Sequence, residues 1–319
     1  MSLIKTSTES DEVASPKKNI VRDSFIWPIE KFSLNQFAVD KKRESPLFQS
    51  KRNNTMKWQL RIHKKEAKNE EYVSLSLLLD NVNHIEVTAL CSFYVLGSDG
   101  GEKHKKVMKI QKFNETNTIC TNHQFLKSNL LHNDDNNELL PNGNLILGCE
   151  IFYYCGWINT VGLQTNNDIK KSMNLLSNDM ADMLQSTMFS DCAINVRDSQ
   201  IKVHKCVIAS RSKVFKSLLT EGGCKFAPNV IEMNSFRLEV VEEMVNYLYT
   251  GKSPNMDEMA LELFEIGHKY ELEQLKSMAE ESLLYNLSIR NVCDYLTHSR
   301  LYSSKVLEEF CLRFIHLNC

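Results

Sequence analysis

Between Phe25 and about residue 160, apolar and polar side chains trade places at every second position. Ile85, Val87, Ala89, Cys91, Phe93 and Val95 alternate with Glu86, Thr88, Leu90, Ser92, Tyr94 and Leu96, while Trp58, Leu60 and Ile62 alternate with Lys57, Gln59 and Arg61. Val73, Leu75, Leu77 and Leu79 repeat the pattern. A period of two sends successive side chains to opposite faces of a strand, so each run predicts a strand with one face on a core. Turn-forming stretches separate the runs: Asn53-Asn54, Asn81 to Asn83, Gly97 to Gly101, Asn114 to Asn122 and Pro141 to Asn144. Several short strands with turn chemistry between them and no long helical pattern predict an antiparallel β-sandwich over residues 23–162. The polar residues 1–22 are expected to be a flexible tail.

After a polar stretch from Gln164 to Lys171, with a linker expected over 163–174, the period changes. Leu176, Met180 and Met183 sit at i, i+4 and i+7, one stripe of a helix. A hairpin follows, with Cys192, Ile194 and Val196 alternating and a turn near Asp198-Ser199 before Ile201 and Val203. One helix is then predicted through Val207, Ile208, Val214, Phe215, Leu218 and Leu219, ending at Gly222-Gly223. Further helices are expected at Leu238 to Tyr249, Met256 to Tyr270, Leu272 to Tyr285, Ser288 to His298 and Ser304 to Leu317, with Ser288 and Ser304 as N-caps. The second half thus reads as an α+β domain over 175–285 and an all-helical module over 286–319.

The longest apolar run, Leu145 to Ile158, contains Glu150 and two glycines. It falls short of the roughly 20 residues a bilayer span needs and reads as a buried strand. The N-terminus MSLIKTSTESDEV has neither an apolar stretch nor a small-residue cleavage site, which predicts a cytoplasmic or nuclear protein. The ten cysteines include no Cys-x-x-Cys pair, so in a reducing compartment they read as small buried hydrophobes. The first 170 residues carry 22 basic and 20 acidic side chains and the remainder 16 and 20, giving +2 and −4 and a net charge of −2. Neither half has the positive excess that binding a phosphate backbone demands, and no nucleic-acid or membrane partner is expected. Lys103-His104-Lys105-Lys106, beside Asp99 and Glu102, reads as a solvated loop.

Catalytic chemistry is missing too. Gly251-Lys252-Ser253 is a phosphate-loop fragment, but Asn246 stands where the first glycine should be, and Pro254 follows. Asp191, His204 and Ser210 supply the residue types of a hydrolytic triad without a Gly-x-Ser-x-Gly elbow, and His204 reads as a partly buried hydrogen-bonding residue. The histidines form no helical metal-ligating pair, so neither metal nor cofactor is expected. Three Asn-x-Ser/Thr matches, at Asn53, Asn114 and Asn286, carry no meaning without secretion.

The second half contains Phe189-Ser190-Asp191-Cys192, His204-Lys205 through Arg211-Ser212-Lys213-Val214-Phe215, and Tyr247-Leu248-Tyr249-Thr250-Gly251-Lys252. This resembles a BTB/POZ domain, with Asp191, His204, Lys205, Arg211, Ser212, Phe215, Tyr249, Thr250 and Gly251 as its signature. Phe25-Ile26-Trp27-Pro28-Ile29, Trp58-Gln59-Leu60-Arg61-Ile62, Tyr72-Val73-Ser74-Leu75 and Leu139-Leu140-Pro141 resemble a MATH (TRAF-like) sandwich. MATH followed by BTB is the arrangement of the speckle-type POZ protein family, and residues 286–319 then resemble a truncated BACK-like module. The resemblance implies a non-catalytic, homodimeric adaptor of a cullin-3 ubiquitin ligase, whose MATH domain binds protein substrates through short linear motifs.

It also implies three sites. The stripe Leu176, Met180 and Met183 could pack on its own domain. In the family the matching positions, with Val207, form a two-fold dimer interface. The cullin loop of relatives carries a hydrophobic-x-Glu motif, but Gly223-Cys224-Lys225 offers no apolar plug and reverses the charge, leaving Phe226 three positions on. The cullin-3 contact is therefore expected to be weakened. The substrate groove of relatives is aromatic. Here Ser76, Cys91, Cys120 and Asn122 fall at aromatic positions, with Lys112, Phe113 and Asn114 beside them, so the usual ligand of the family is not implied.

Overall fold

The computed structural model describes residues 20–32, 42–50, 56–67, 70–80, 85–131, 137–157, 167–220 and 229–318. The first part is a sandwich of two antiparallel sheets. One has the order β1 (Ile20–Ile29), β10 (Leu145–Trp157), β6 (Ile85–Leu96), β7 (Glu102–Val107), with β8 (Gln111–Phe113) also on β6. The other runs β2 (Lys42–Glu44), β4 (Lys57–Ala67), β5 (Glu70–Asp80), β9 (Ile119–Lys127), with β3 (Phe48–Gln49) also on β4.

Alternation sets the core. Val87, Ala89, Cys91, Phe93 and Val95 of β6 meet Trp58, Leu60 and Ile62 of β4 and Leu75 and Leu77 of β5 in one packed cluster, all essentially inaccessible to water. Fully burying such a side chain contributes about 1.5–3 kcal/mol, which is why one face of each strand tolerates little but apolar residues. The apolar run from Leu145 is the buried strand its composition predicts. Its Gly148 lies opposite Tyr94, whose ring occupies the space a side chain would need.

Three local expectations change. Strand β1 begins at Ile20 and pairs with β10, so the sandwich takes up the end of the stretch read as tail; residues 1–19 lie outside the described residues. The Lys103 to Lys106 cluster forms edge strand β7 instead of a loop, its charges answered by Asp99 and Glu102. Part of the Asn114 to Asn122 stretch is strand as well, because β9 starts at Ile119.

In the second half, α1 (Asn167–Ser186) starts inside the stretch read as linker. The hairpin forms as predicted from β11 (Cys192–Val196) and β12 (Ser199–Val203), and β13 (Val230–Glu232), too short to show a period, adds parallel to β11. The helix predicted through Val207 and Leu219 is two, α2 (Lys205–Arg211) and α3 (Lys213–Thr220). Ser212 breaks it: its backbone is extended, its hydroxyl donates to the Tyr270 carbonyl at 2.7 Å, and the same oxygen accepts the Phe215 N–H at 3.1 Å. That capping geometry restarts the chain in a new direction.

Helices α4 (Leu238–Thr250), α5 (Met256–Lys269), α6 (Glu273–Tyr285), α7 (Val292–Leu301) and α8 (Lys305–Asn318) follow. Ser304 caps α8 as expected, accepting the Leu307 N–H at 3.1 Å. Ser288 caps nothing: α7 begins four residues later, and the Ser288 N–H donates to Asn291 Oδ1. The outward face of β6 is covered. Thr88, Leu90, Ser92 and Tyr94 are all buried, and Leu90, Ile110 and Tyr154 pack into the same cluster as the helical half.

Candidate interaction site on the second domain

The residues of the BTB-like signature hold the second domain together. Asp191 Oδ1 accepts the Lys205 N–H at 2.8 Å, at the first turn of α2, and Lys205 Nζ donates to Asn229. Between them stands His204, buried, with Nδ1 2.7 Å from the Tyr249 hydroxyl and Nε2 2.8 Å from the Met188 carbonyl. Asp191 therefore pairs with a backbone amide and not with His204, and the Ser210 hydroxyl donates to the Val207 carbonyl. No relay of acid, base and nucleophile exists among these three.

Arg211 stacks over the Tyr247 ring at 5.4 Å, and Phe215, fully buried, lies nearly parallel to Tyr270 with ring centroids 4.7 Å apart. Thr250 donates to the Asn246 carbonyl, and Gly251 ends α4 at φ 72°, where its N–H meets the Tyr247 carbonyl. Gly251-Lys252-Ser253 is thus a helix terminus. The Ser253 hydroxyl donates to the buried Glu243 carboxyl at 2.6 Å.

One surface is apolar and open. Helix α1 lies along α4, tied by the Ser177 hydroxyl donating to the Thr250 carbonyl at 3.1 Å. Between α1 and α2 runs a hollow of about 470 Å³ lined by Leu176, Met180, Val207, Cys206, Leu248 and Tyr249. Leu176 is 64% exposed, and Met173 and Leu175 beside it are as open. Met180 and Met183 are half-buried against their own domain. Three of the four expected interface residues therefore share one hollow, while Met183 packs on the core. Sequence reasoning missed Met173, which lies three residues before Leu176 on the same stripe and also lines the hollow, because it falls inside the stretch read as linker.

The cullin-loop residues Gly223, Cys224, Lys225 and Phe226 lie outside the described residues. The groove positions do not share one surface. Alternation on β6 and β9 turns Cys91 and Cys120 inward, where they meet Cys149 in the sandwich core; the Cys91 thiol is held far above its ordinary range by its hydrogen bond with Cys120 and by burial. Phe113 is also internal, edge-on to Trp58 at 5.2 Å. Ser76 is buried, its hydroxyl 2.9 Å from that of Thr121. Lys112 lies between Glu86 and Glu281, Asn114 closes a turn by accepting the Thr116 and Asn117 N–H groups, and Asn122 contacts Met108.

Among the described residues no cluster of His, Cys, Asp or Glu could hold a metal, and no helix is long and apolar enough to cross a membrane. Comparison with protein families places a MATH domain at residues 24–151 and a BTB/POZ domain at 180–287, the first over the sandwich and the second from α1 to the end of α6. Helices α7 and α8 lie past the second match. With both domains in this order, the chain belongs to the MATH–BTB proteins.

Proposed function

We propose that the chain is a homodimeric substrate-recognition adaptor of a cullin-3 RING ubiquitin ligase. The MATH domain binds protein substrates and the BTB domain dimerises and docks the cullin, which leads to ubiquitination and proteasomal degradation. Catalysis belongs to other subunits, and the protein acts in the nucleus or cytoplasm. The order of the two domains fits an adaptor of the BTB–cullin type. The observation that carries the dimer is the open apolar stripe of α1, with Leu176 64% exposed beside the hollow that Val207 lines. Burying a Leu or Met contributes about 1.5–3 kcal/mol, and a two-fold axis counts each residue twice, against an association cost of about 4–15 kcal/mol.

A second reading has its own support. Gly223-Cys224-Lys225 lacks the apolar anchor and the acid that cullin-binding relatives carry. Losing a central anchor costs at least about 2 kcal/mol, some thirtyfold in affinity. This favours a BTB-dimerised scaffold or transcriptional co-regulator. Size-exclusion chromatography of the full chain with the cullin-3 N-terminal domain separates the two. Co-elution at micromolar concentration is expected of the adaptor. A dimer that elutes alone overturns it in favour of the scaffold.

A further inference from the structure

Linked domains move independently by default, unless the surface between them is extensive and apolar. An antiparallel sandwich, for its part, ordinarily turns the outer face of a sheet to water. Here the outer face of the first sheet is closed over β6 and the middle of β10, while the outward residues of β1 stay open. Leu90 is 0% exposed and Tyr94 5%, although both point away from the sandwich core.

What covers that face comes from the far end of the chain. Phe310 of α8 stands edge-on to Phe152 and Tyr154 of β10, with ring centroids 4.9 and 5.7 Å away. Next to these rings, Glu150 of β10 accepts from Arg313 of α8 and Arg22 of β1, both at 2.5 Å, with the Glu150 and Arg313 side chains each only 10% exposed. A second ion group joins α6 to the same sheet: Lys112 of β8 sits 2.7 Å from Glu86 and 2.9 Å from Glu281, and the Tyr285 hydroxyl donates to Glu281 at 3.1 Å. Arg313 and Glu150 forgo most of their hydration, which only a well-aligned partner offsets, so such a pair specifies one orientation more than it adds raw affinity.

We infer that α8 is a docking element whose ligand is the outer face of the first MATH sheet, and that with α6 it locks the sandwich and the BTB half into one rigid body. The contacts that cross between the halves fall on β6, β8 and β10 on one side and on two helices on the other, so any swing of the sandwich breaks several at once. The inference does not depend on the adaptor reading: it concerns how the halves are held, whatever they bind.

Small-angle X-ray scattering of the full chain tests it. The wild type is expected to fit a single arrangement of the two halves. Glu281→Lys with Arg313→Glu sets like charges against Lys112 and Glu150, and should raise the radius of gyration and the maximum dimension while circular dichroism stays unchanged. Lys112→Glu with Glu281→Lys keeps one lysine and two glutamates in the cluster and should return the wild-type curve. A wild-type curve that requires a spread of orientations overturns the lock, as does a charge-reversed protein that is folded yet scatters like the wild type. Should the charge-reversed protein fail to fold, the wild-type curve and the charge-swapped variant still decide.

Discussion

The Tyr249 hydroxyl stands 2.7 Å from His204 Nδ1 and 2.8 Å from the His204 backbone nitrogen, so one oxygen serves the same residue twice. It accepts the backbone N–H and faces Nδ1 of the same residue, while Nε2 faces the Met188 carbonyl. Every polar atom in this buried knot is matched, and the knot ties α4 to the start of α2 and the turn after α1. Tyr249→Phe leaves the His204 N–H and Nδ1 without a partner, at about 1–3 kcal/mol for each group so stranded. Thermal melting should fall by several degrees, and an unchanged melting temperature would show that water replaces the hydroxyl.

The same tyrosine gives the protein an alkaline limit. Burial pushes the Tyr249 hydroxyl up to about 12, and burial together with Glu102 and Glu150 does the same for Tyr94. An unfolded tyrosine ionises near pH 10. The folded value is the higher one, so this contribution to stability is complete below about pH 10 and is lost as pH rises through about 12. Absorbance at 295 nm should show a late class of tyrosines that ionises together with the loss of near-ultraviolet circular dichroism. Titration of all tyrosines as one class near pH 10, with the fold intact, would contradict it.

Gly148 and Tyr94 make a steric prediction. A methyl group at Gly148 would sit 2.1 Å from the Tyr94 ring, well inside contact distance. Gly148→Ala must push the ring off the sheet, and overpacking of this kind costs about 1–3 kcal/mol. Chemical denaturation should show the loss, and Gly148→Ala combined with Tyr94→Ala should lose less than the sum of the two single changes.

The apolar stripe of α1 is tested at its open positions. Met173→Asp with Leu176→Asp is expected to yield a folded monomer in light scattering, because both side chains stand open and contribute little to their own domain's core. An unchanged dimer would move the interface elsewhere.

The sandwich and the hairpin were legible because alternation is a local signal, repeated over strands as long as β4 and β6. The break at Ser212 was not: what stops the helix is the Tyr270 carbonyl, 58 residues away, and a lone serine inside an apolar helical pattern does not announce it. Strand β13 is three residues long and shows no period at all. For the groove, correspondence with relatives named positions along the chain, while alternation decided their direction and sent Cys91, Phe113 and Cys120 inward. The covered sheet face had left a trace. Leu90, Tyr94, Phe152 and Tyr154 are too apolar for residues facing water, and Glu150 inside the longest apolar run called for a cationic partner, which the sequence alone could not place at Arg313.

That partner has a consequence for what a dimer of this chain could hold. Two sandwiches fixed to their BTB halves would stand at one separation and one mutual angle, like the jaws of a set caliper. A ligand with a single motif would gain nothing from the second jaw. One with two motifs would gain most when the chain between them matches the span, and nothing when it is too short to reach. Recognition would then depend on the spacing of motifs as much as on their sequence.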